Sequence, residues 1–188
     1  NLEHLKEAKS KDALDEYTID MVEASKDADL IFICSPISTI APIAKTIAGV
    51  VKDGCIITDV GSSKSKIVFE IENSIKKGIN FIGGHPMAGS EYSGITAATK
   101  FLFDGANYIL TPTDKTNIEA LEKLTGFLQK LDVQIVVMPP EKHDLVVAAI
   151  SHMPLALAVA LVNTVCDDDK DKDAMIKLAA SGFRDTTR

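Results

Sequence analysis

Positive charge and cysteine are both scarce in this chain of 188 residues, and each shortage argues against a class of protein. Lysine and arginine number 20 against 27 aspartates and glutamates, for a formal net charge of −7. A broad nucleic-acid-binding surface is not expected, because it needs clustered positive charge. Small anionic substrates need only a local positive pocket. The three cysteines form an odd set, which together with the lack of a visible signal peptide indicates reduced thiols in a cytoplasmic protein.

The sequence also lacks the glycine motifs that bind nucleotide phosphates. No G-x-G-x-x-G occurs in it. Gly84 and Gly89 have the spacing of a P-loop, but Ser90 and Glu91 follow Gly89 where a P-loop carries lysine. The Glu91 carboxylate would repel phosphate, so the P-loop is excluded. No metal site is predicted either.

One apolar stretch approaches the length of a membrane span. Residues 145–162 are almost all apolar, but Ser151, His152 and Pro154 interrupt them and a charged segment precedes them. A span needs about 18 or more apolar residues with few or no charges. We therefore predict no membrane span. A helix buried on all sides, between domains or between subunits, explains the stretch better.

Short apolar runs alternate with longer segments of helical spacing, which predicts an α/β fold. Runs that are apolar on both faces are typical of buried parallel strands, and the alternation suggests βαβ units. The predicted strands are residues 30–34, 55–60, 80–83, 108–111 and 133–138, and the predicted helices between them are residues 37–51, 64–77 and 116–131. Pro139 and Pro140 mark a boundary, after which the sequence is helical. The predicted domains are residues 1–139 and 140–188.

Three loops follow predicted strands and carry polar residues: residues 34–36, 59–64 and 83–86. In open α/β sheets, ligands bind at the carboxyl ends of the strands. In the second loop both serines could cap the next helix, and Ser63 is predicted to do so. Ser62 could instead face the cleft. Lys64 is predicted to be a solvated helix residue.

His85 is the strongest candidate for chemistry. It lies between the pair Gly83-Gly84 and Pro86 at the end of a predicted strand. Glycine allows close approach to a ligand and proline fixes the turn that follows. The ordinary pKa of histidine, about 6.5, makes it a possible acid or base at neutral pH. The alternative is a histidine whose ring is satisfied by loop backbone.

Helical spacing tests which residues after Pro140 share one face. At about 100° per residue, Asp144 and Ser151 lie about 20° apart and Asp144 and His152 about 80° apart, whereas His143 and His152 are nearly opposite. We favour Asp144, Ser151 and His152 as the face toward the cleft, although a kink at Pro154 would change its lower part. The alternative is that His143 and Asp144 only cap the helix start.

Several motifs together resemble the prephenate dehydrogenase family. They are GGHPMAGSE at residues 83–91, DVGSSK at 59–64, HD at 143–144, SHMP at 151–154 and GFRDTTR at 182–188. They occur in the family's order across nearly the whole chain. The resemblance implies a Rossmann-like nucleotide domain followed by an all-helical dimerisation domain, and hence a homodimer.

The resemblance also implies an activity and roles for individual residues. The family oxidises prephenate with NAD+ and releases carbon dioxide to give 4-hydroxyphenylpyruvate, a tyrosine precursor. By this resemblance His85 withdraws the proton of the ring hydroxyl, and Ser62 bridges that histidine and the nicotinamide. The remaining implied contacts are Arg188, His152, Ser151 and Glu91 with substrate, and Ser35 and Pro36 with NAD.

Two departures from the family pattern leave more than one function open. The first strands and the phosphate-binding turn are not found in the sequence, so we expect a chain truncated at both ends that binds NAD poorly by itself. Leu155 stands where many relatives carry a histidine for the substrate side chain, which leaves arogenate open as the substrate. NADP is not excluded as the cofactor. A non-catalytic remnant that self-associates, and a different Rossmann reductase acting on a small hydroxy acid, also stay open.

Overall fold

The computed structural model describes residues 1–89, 94–168 and 174–187. Two of the predicted substrate contacts, Glu91 and Arg188, lie outside the described residues. The chain divides into two compact units, residues 1–143 and 144–188, so the division falls within one helix. The predicted domain boundary after residue 139 stays a prediction.

The first unit is built on one five-stranded sheet in the order β1-β2-β3-β4-β5. Strands β1 to β3 are parallel, β4 runs antiparallel to β3, and β5 is parallel to β4. The strands are β1 (Leu30–Ile33), β2 (Ile56–Asp59), β3 (Asn80–Pro86), β4 (Asn107–Thr111) and β5 (Gln134–Val137). The prediction of an α/β fold with a mostly parallel sheet is confirmed.

In the part of the chain that the structure describes, five helices accompany this sheet and a sixth begins at its end. They are α1 (Leu2–Ser10), α2 (Met21–Ser25), α3 (Ile37–Ile47), α4 (Ser65–Glu72), α5 (Ile118–Leu128) and α6 (Pro140–Val147). The predicted helices are a few residues too long at their ends. Short 3₁₀ turns, Ile95–Ala97 and Gln129–Leu131, precede β4 and extend α5.

Both faces of the sheet are covered, as the apolar strand runs require. Successive strand residues point to opposite faces, so Ile57 packs into one core with α3 and α4, and Ile56 packs into the other with α5. Ile40 of α3 and Leu124 of α5 are fully buried in these two cores. The double burial explains why β2 contains no solvent-facing residue.

Strand β3 is longer than predicted and includes the segment expected to form a loop. Residues 83–86 pair with β4, His85 opposite Ile109 and Pro86 opposite Tyr108. The prediction that His85 lies in a loop before a turn is therefore wrong. A proline is tolerated here because Pro86 is the last residue of the strand.

The second unit is helical. It contains the end of α6, a π-helical turn at Ala148–His152, and then α7 (Met153–Asp168), α8 (Ala174–Lys177) and α9 (Ser181–Thr187), of which α9 contacts α7. The irregularity expected near Pro154 thus takes the form of a π turn just before it. Leu145 and Leu157 of the apolar stretch are exposed in the single chain, and its burial between domains or between subunits stays a prediction.

The helical stretch Pro140–Cys166 is, among the described residues, long and apolar enough to cross a membrane. It has 27 residues and a mean hydropathy of 2.3. Length and composition alone are weak grounds, since the core helix of a soluble protein passes the same test.

We predict that Gly84→Ala destabilises the first unit by about 1–3 kcal/mol, the usual cost of overpacking. A Cβ at this position would lie 2.6 Å from the Asp59 carbonyl oxygen, a backbone atom that moves only with β2. Gly126→Ala is the matched control. Its Cβ would meet nothing within 4 Å in α5, so this change should leave stability unchanged or raise it slightly. Urea unfolding of both variants measures the difference, and equal midpoints for Gly84→Ala and the parent would contradict the packing argument.

Candidate active site

The site begins where β1 and β2 end side by side. Ile33 is aligned with Asp59 in the parallel register, so the loops that carry Ser35 and Ser62 leave the same edge of the sheet. Both serines are half-buried. A hydrogen bond of 2.9 Å joins the hydroxyls of Ser35 and Thr39. Pro36 is exposed and precedes α3, whose first turn has no side-chain cap from this residue. Polar donors therefore line this edge, as predicted.

His85 is held by a second histidine. Its Nδ1 lies 2.8 Å from Nε2 of His143, and the two rings meet edge to face with centroids 5.1 Å apart. His85 is 9% exposed and His143 is fully buried. One of the two facing nitrogens must carry a proton and the other accept it. The alternative in which His85 is satisfied by loop backbone is not the arrangement found.

His143 is a site residue that the helical-face argument misassigned. That argument favoured the stripe containing His152 and allowed that His143 only caps a helix start. In the structure His143 contacts His85. Ser151 and His152 lie in the π turn of the second unit, and their predicted place at the cleft stays a prediction. The argument assumed a straight α-helix, and a π turn between His143 and His152 changes their relative rotation.

The environment of Lys64 differs most from its prediction. The sequence predicts a solvated helix residue, but the side chain is fully buried and forms an ion pair with the equally buried carboxylate of Asp59. The signal in the sequence is Asp59 itself. A carboxylate that ends an apolar strand cannot be buried without a cationic or hydrogen-bonding partner, and Lys64 follows five residues later.

The prediction that Ser63 caps α4 is also wrong. The residue at the capping position is Lys64, and it makes no side-chain cap. Ser63 is half-buried in the loop before it. The helix start is instead joined to the strand by the Asp59–Lys64 pair.

The pair binds the backbone next to His85. Asp59 Oδ1 accepts a hydrogen bond from the Gly84 N–H at 3.2 Å, and Lys64 Nζ donates to the Gly84 carbonyl at 2.9 Å. Asp59 Oδ2 also accepts from the Gly61 N–H at 2.9 Å. Two strands and the loop that contains Ser62 are thereby joined at one buried point.

The buried Tyr108 and the exposed Cys34 both have raised pKa values, which limits their reactivity. Desolvation raises the pKa of the Tyr108 hydroxyl far above its ordinary value, and the charges of Asp59 and Cys34 add to the rise. Desolvation by neighbouring atoms also raises the pKa of the Cys34 thiol, with Asp59 again contributing. Both groups therefore stay protonated at neutral pH, and Cys34 is a poor nucleophile. Neither group is therefore expected to act as an acid or base at neutral pH.

Two family models match the chain. One is described as the nucleotide-binding domain of prephenate dehydrogenase and matches residues 1–137, and the other is described as its dimerization domain and matches residues 139–188. The prephenate dehydrogenase of Bacillus subtilis is 37% identical over 93% of this chain. The chain spans 47% of that relative's length.

Two solved structures are similar over all of the chain. The prephenate dehydrogenase from A. aeolicus in complex with hydroxyphenyl propionate and NAD+ is 34% identical, with a TM-score of 0.90 over 100% of this chain and 65% of its own. The Synechocystis arogenate dehydrogenase is 35% identical, with a TM-score of 0.86 over 100% of this chain and 67% of its own.

We predict that Lys64→Met lowers the free energy of unfolding by about 3–5 kcal/mol, because it leaves the Asp59 carboxylate buried without its counter-ion. Lys45→Met is the matched control, since Lys45 forms an exposed ion pair with Glu70 at 2.7 Å. Pairs in solvent contribute little, so the control should unfold at the parent's midpoint. Urea unfolding followed by circular dichroism makes the comparison. Equal midpoints for the two variants would show that Lys64 is not needed to compensate Asp59.

Proposed function

Since the chain belongs to the prephenate dehydrogenase family, we propose that the protein carrying it uses NAD+ to convert prephenate to 4-hydroxyphenylpyruvate with release of carbon dioxide. The observation that carries the proposal is the buried pair of His85 and His143. It supplies a base at the edge of the sheet where α/β proteins bind ligands.

The contact between the two rings assigns a role to each nitrogen of His85. When Nδ1–H of His85 donates to Nε2 of His143, Nε2 of His85 is the unprotonated nitrogen. We propose that Nε2 accepts the proton of the substrate's ring hydroxyl. The proton leaves the hydroxyl oxygen as hydride departs from the ring carbon that bears it. Carbon dioxide then leaves, the ring becomes aromatic, and the imidazole returns the proton to the phenolate oxygen. His143 fixes the tautomer that this transfer needs.

The cofactor would be held at its nicotinamide end by the loops after β1 and β2. When bound, the nicotinamide supplies the hydride acceptor. The half-buried hydroxyls of Ser35 and Ser62 fit the amide and ribose of a dinucleotide, and Pro36 leaves the start of α3 open for contact. Ser62 is also assigned the bridge between cofactor and His85.

Substrate binding is assigned to Arg188, Glu91, Ser151 and His152. Prephenate has two carboxylates, and the planar guanidinium of Arg188 suits one of them through two parallel hydrogen bonds. Ser151 and His152 offer hydrogen-bond donors at exposed positions. Glu91 is assigned a supporting role in substrate binding.

Arogenate is the second candidate substrate. The similar Synechocystis structure is an arogenate dehydrogenase, and arogenate has an amino acid side chain in place of the pyruvyl group. Leu155 offers neither charge nor hydrogen bond to either side chain.

The decisive experiment measures turnover of prephenate and arogenate with NAD+ and NADP+ by the protein that carries this sequence. We expect His85→Asn to lower kcat by about 10² to 10⁴, the usual contribution of general acid-base catalysis. His4→Asn is the matched control, since His4 is exposed on α1, and it should retain the parent's kcat. Normal turnover in His85→Asn would remove the assignment of the base. The absence of turnover by the parent with both substrates would refute the function itself.

We also propose a homodimer in which α7 lies at the interface. Leu155, Leu157 and Val159 are each more than half exposed on this helix, and monomers rarely expose apolar patches beyond a few hundred Å². A match to the family's dimerization domain over residues 139–188 supports the proposal.

Light scattering without detergent tests the dimer. We expect a dimer for the parent at micromolar concentration and dissociation in Leu157→Glu, because the change places charge in an apolar interface. Ile118→Glu is the matched control, an equally exposed apolar residue on α5, and it should remain dimeric. A monodisperse parent monomer would be inconsistent with the proposal.

A further inference from the structure

Strand pairing between β2 and β3 stops just before the two strands reach the site. The last aligned residues are Thr58 and Ile82, so Gly84 lies beyond the parallel ladder. Its backbone groups still need hydrogen-bond partners, because the residue is buried. The side chains of Asp59 and Lys64 supply them, one accepting from the N–H and the other donating to the carbonyl.

These two bonds control the peptide planes on both sides of Gly84. The Gly84 N–H belongs to the plane shared with Gly83, and its carbonyl belongs to the plane shared with His85. Fixing the second plane fixes the N–Cα bond of His85, and the pairing of His85 with Ile109 in β4 then fixes the direction of its Cα–Cβ bond. No side chain at residue 84 helps, since the space that a Cβ would take is filled by Thr58, Asp59 and Tyr108.

Stability alone is a weak reason for such a pair. Desolvation of two charges commonly offsets their attraction, and well-packed apolar replacements are often as stable. An apolar pair, however, cannot form hydrogen bonds to the backbone. Asp59 and Lys64 together bind both backbone groups of Gly84 and the N–H of Gly61, which precedes Ser62.

We propose that Asp59 and Lys64 are positioning residues for catalysis: the pair sets the orientation of the His85 ring and of the loop that carries Ser62. The inference rests on the proposed function only for its effect on turnover. Its effect on ring geometry is a property of the chain itself.

The test is the double variant Asp59→Asn/Lys64→Met, which removes both charges together and keeps the side-chain volumes close to the originals. We expect kcat to fall about 10- to 100-fold, because a displacement of about 1 Å costs about that much. KM should stay within about threefold, since neither residue is assigned a substrate contact. The control is Glu70→Gln/Lys45→Met, which removes the exposed ion pair and should leave kcat unchanged.

Histidine-labelled NMR gives a readout that does not depend on activity. The chain has four histidines, and His85→Asn and His143→Asn assign the two ring signals of interest. The parent should show a downfield, slowly exchanging ring N–H shared by His85 and His143. In the folded double variant this signal should be lost or moved, whereas the control variant should keep it.

The outcomes separate the two proposals. A folded double variant with the parent's kcat and the parent's ring signals would overturn the positioning role, even if it were less stable. A parent without turnover would refute the proposed function, while the ring signals would still decide whether the pair orients His85. If circular dichroism shows the double variant unfolded, Asp59→Asn/Lys64→Gln takes its place with the same readouts and the same criteria.

Discussion

The buried ion pair between Asp59 and Lys64 is the interaction on which the rest of the site depends. It joins the end of β2, the start of α4, the loop of Ser62 and the backbone before His85. The pair forms hydrogen bonds to β3 just beyond the last aligned residues of the β2–β3 ladder. A sheet whose strands separate at their carboxyl ends makes room for a ligand but leaves backbone groups without partners. Here the charged side chains of Asp59 and Lys64 are the hydrogen-bond partners of those backbone groups.

The sheet could be predicted from the sequence because its strands are apolar on both faces. Such runs are typical of buried strands. All five strands lie within a few residues of their predicted ends. The antiparallel direction of β4 is not visible in the sequence, because the apolar pattern of a strand does not record its direction. The extension of β3 is hidden since Gly83, Gly84 and Pro86 are residues typical of turns.

The candidate site could be predicted only unevenly, for physical reasons. The loop residues Ser35 and Ser62 follow strands, so topology alone brings them to one edge. Residue type predicts that Lys64 is exposed, because most lysines are exposed. Only the burial of Asp59 indicates that Lys64 is buried. His143 and His152 are ranked by an α-helical rotation that a π turn invalidates. Local spacing thus fails where the backbone departs from a regular repeat.

The π turn at Ala148–His152 has a consequence for how α7 can change over evolution. A π turn closes its hydrogen bonds over one residue more than an α-helical turn, so deleting a single residue there would restore a regular helix. That deletion would leave the α7 side chains on nearly the same side of the helix, because the extra residue of a π turn is accommodated within that turn. One codon lost in this turn would therefore preserve the set of apolar side chains that α7 presents, whereas one codon lost in a regular turn before α7 would exchange that set without any substitution in α7 itself.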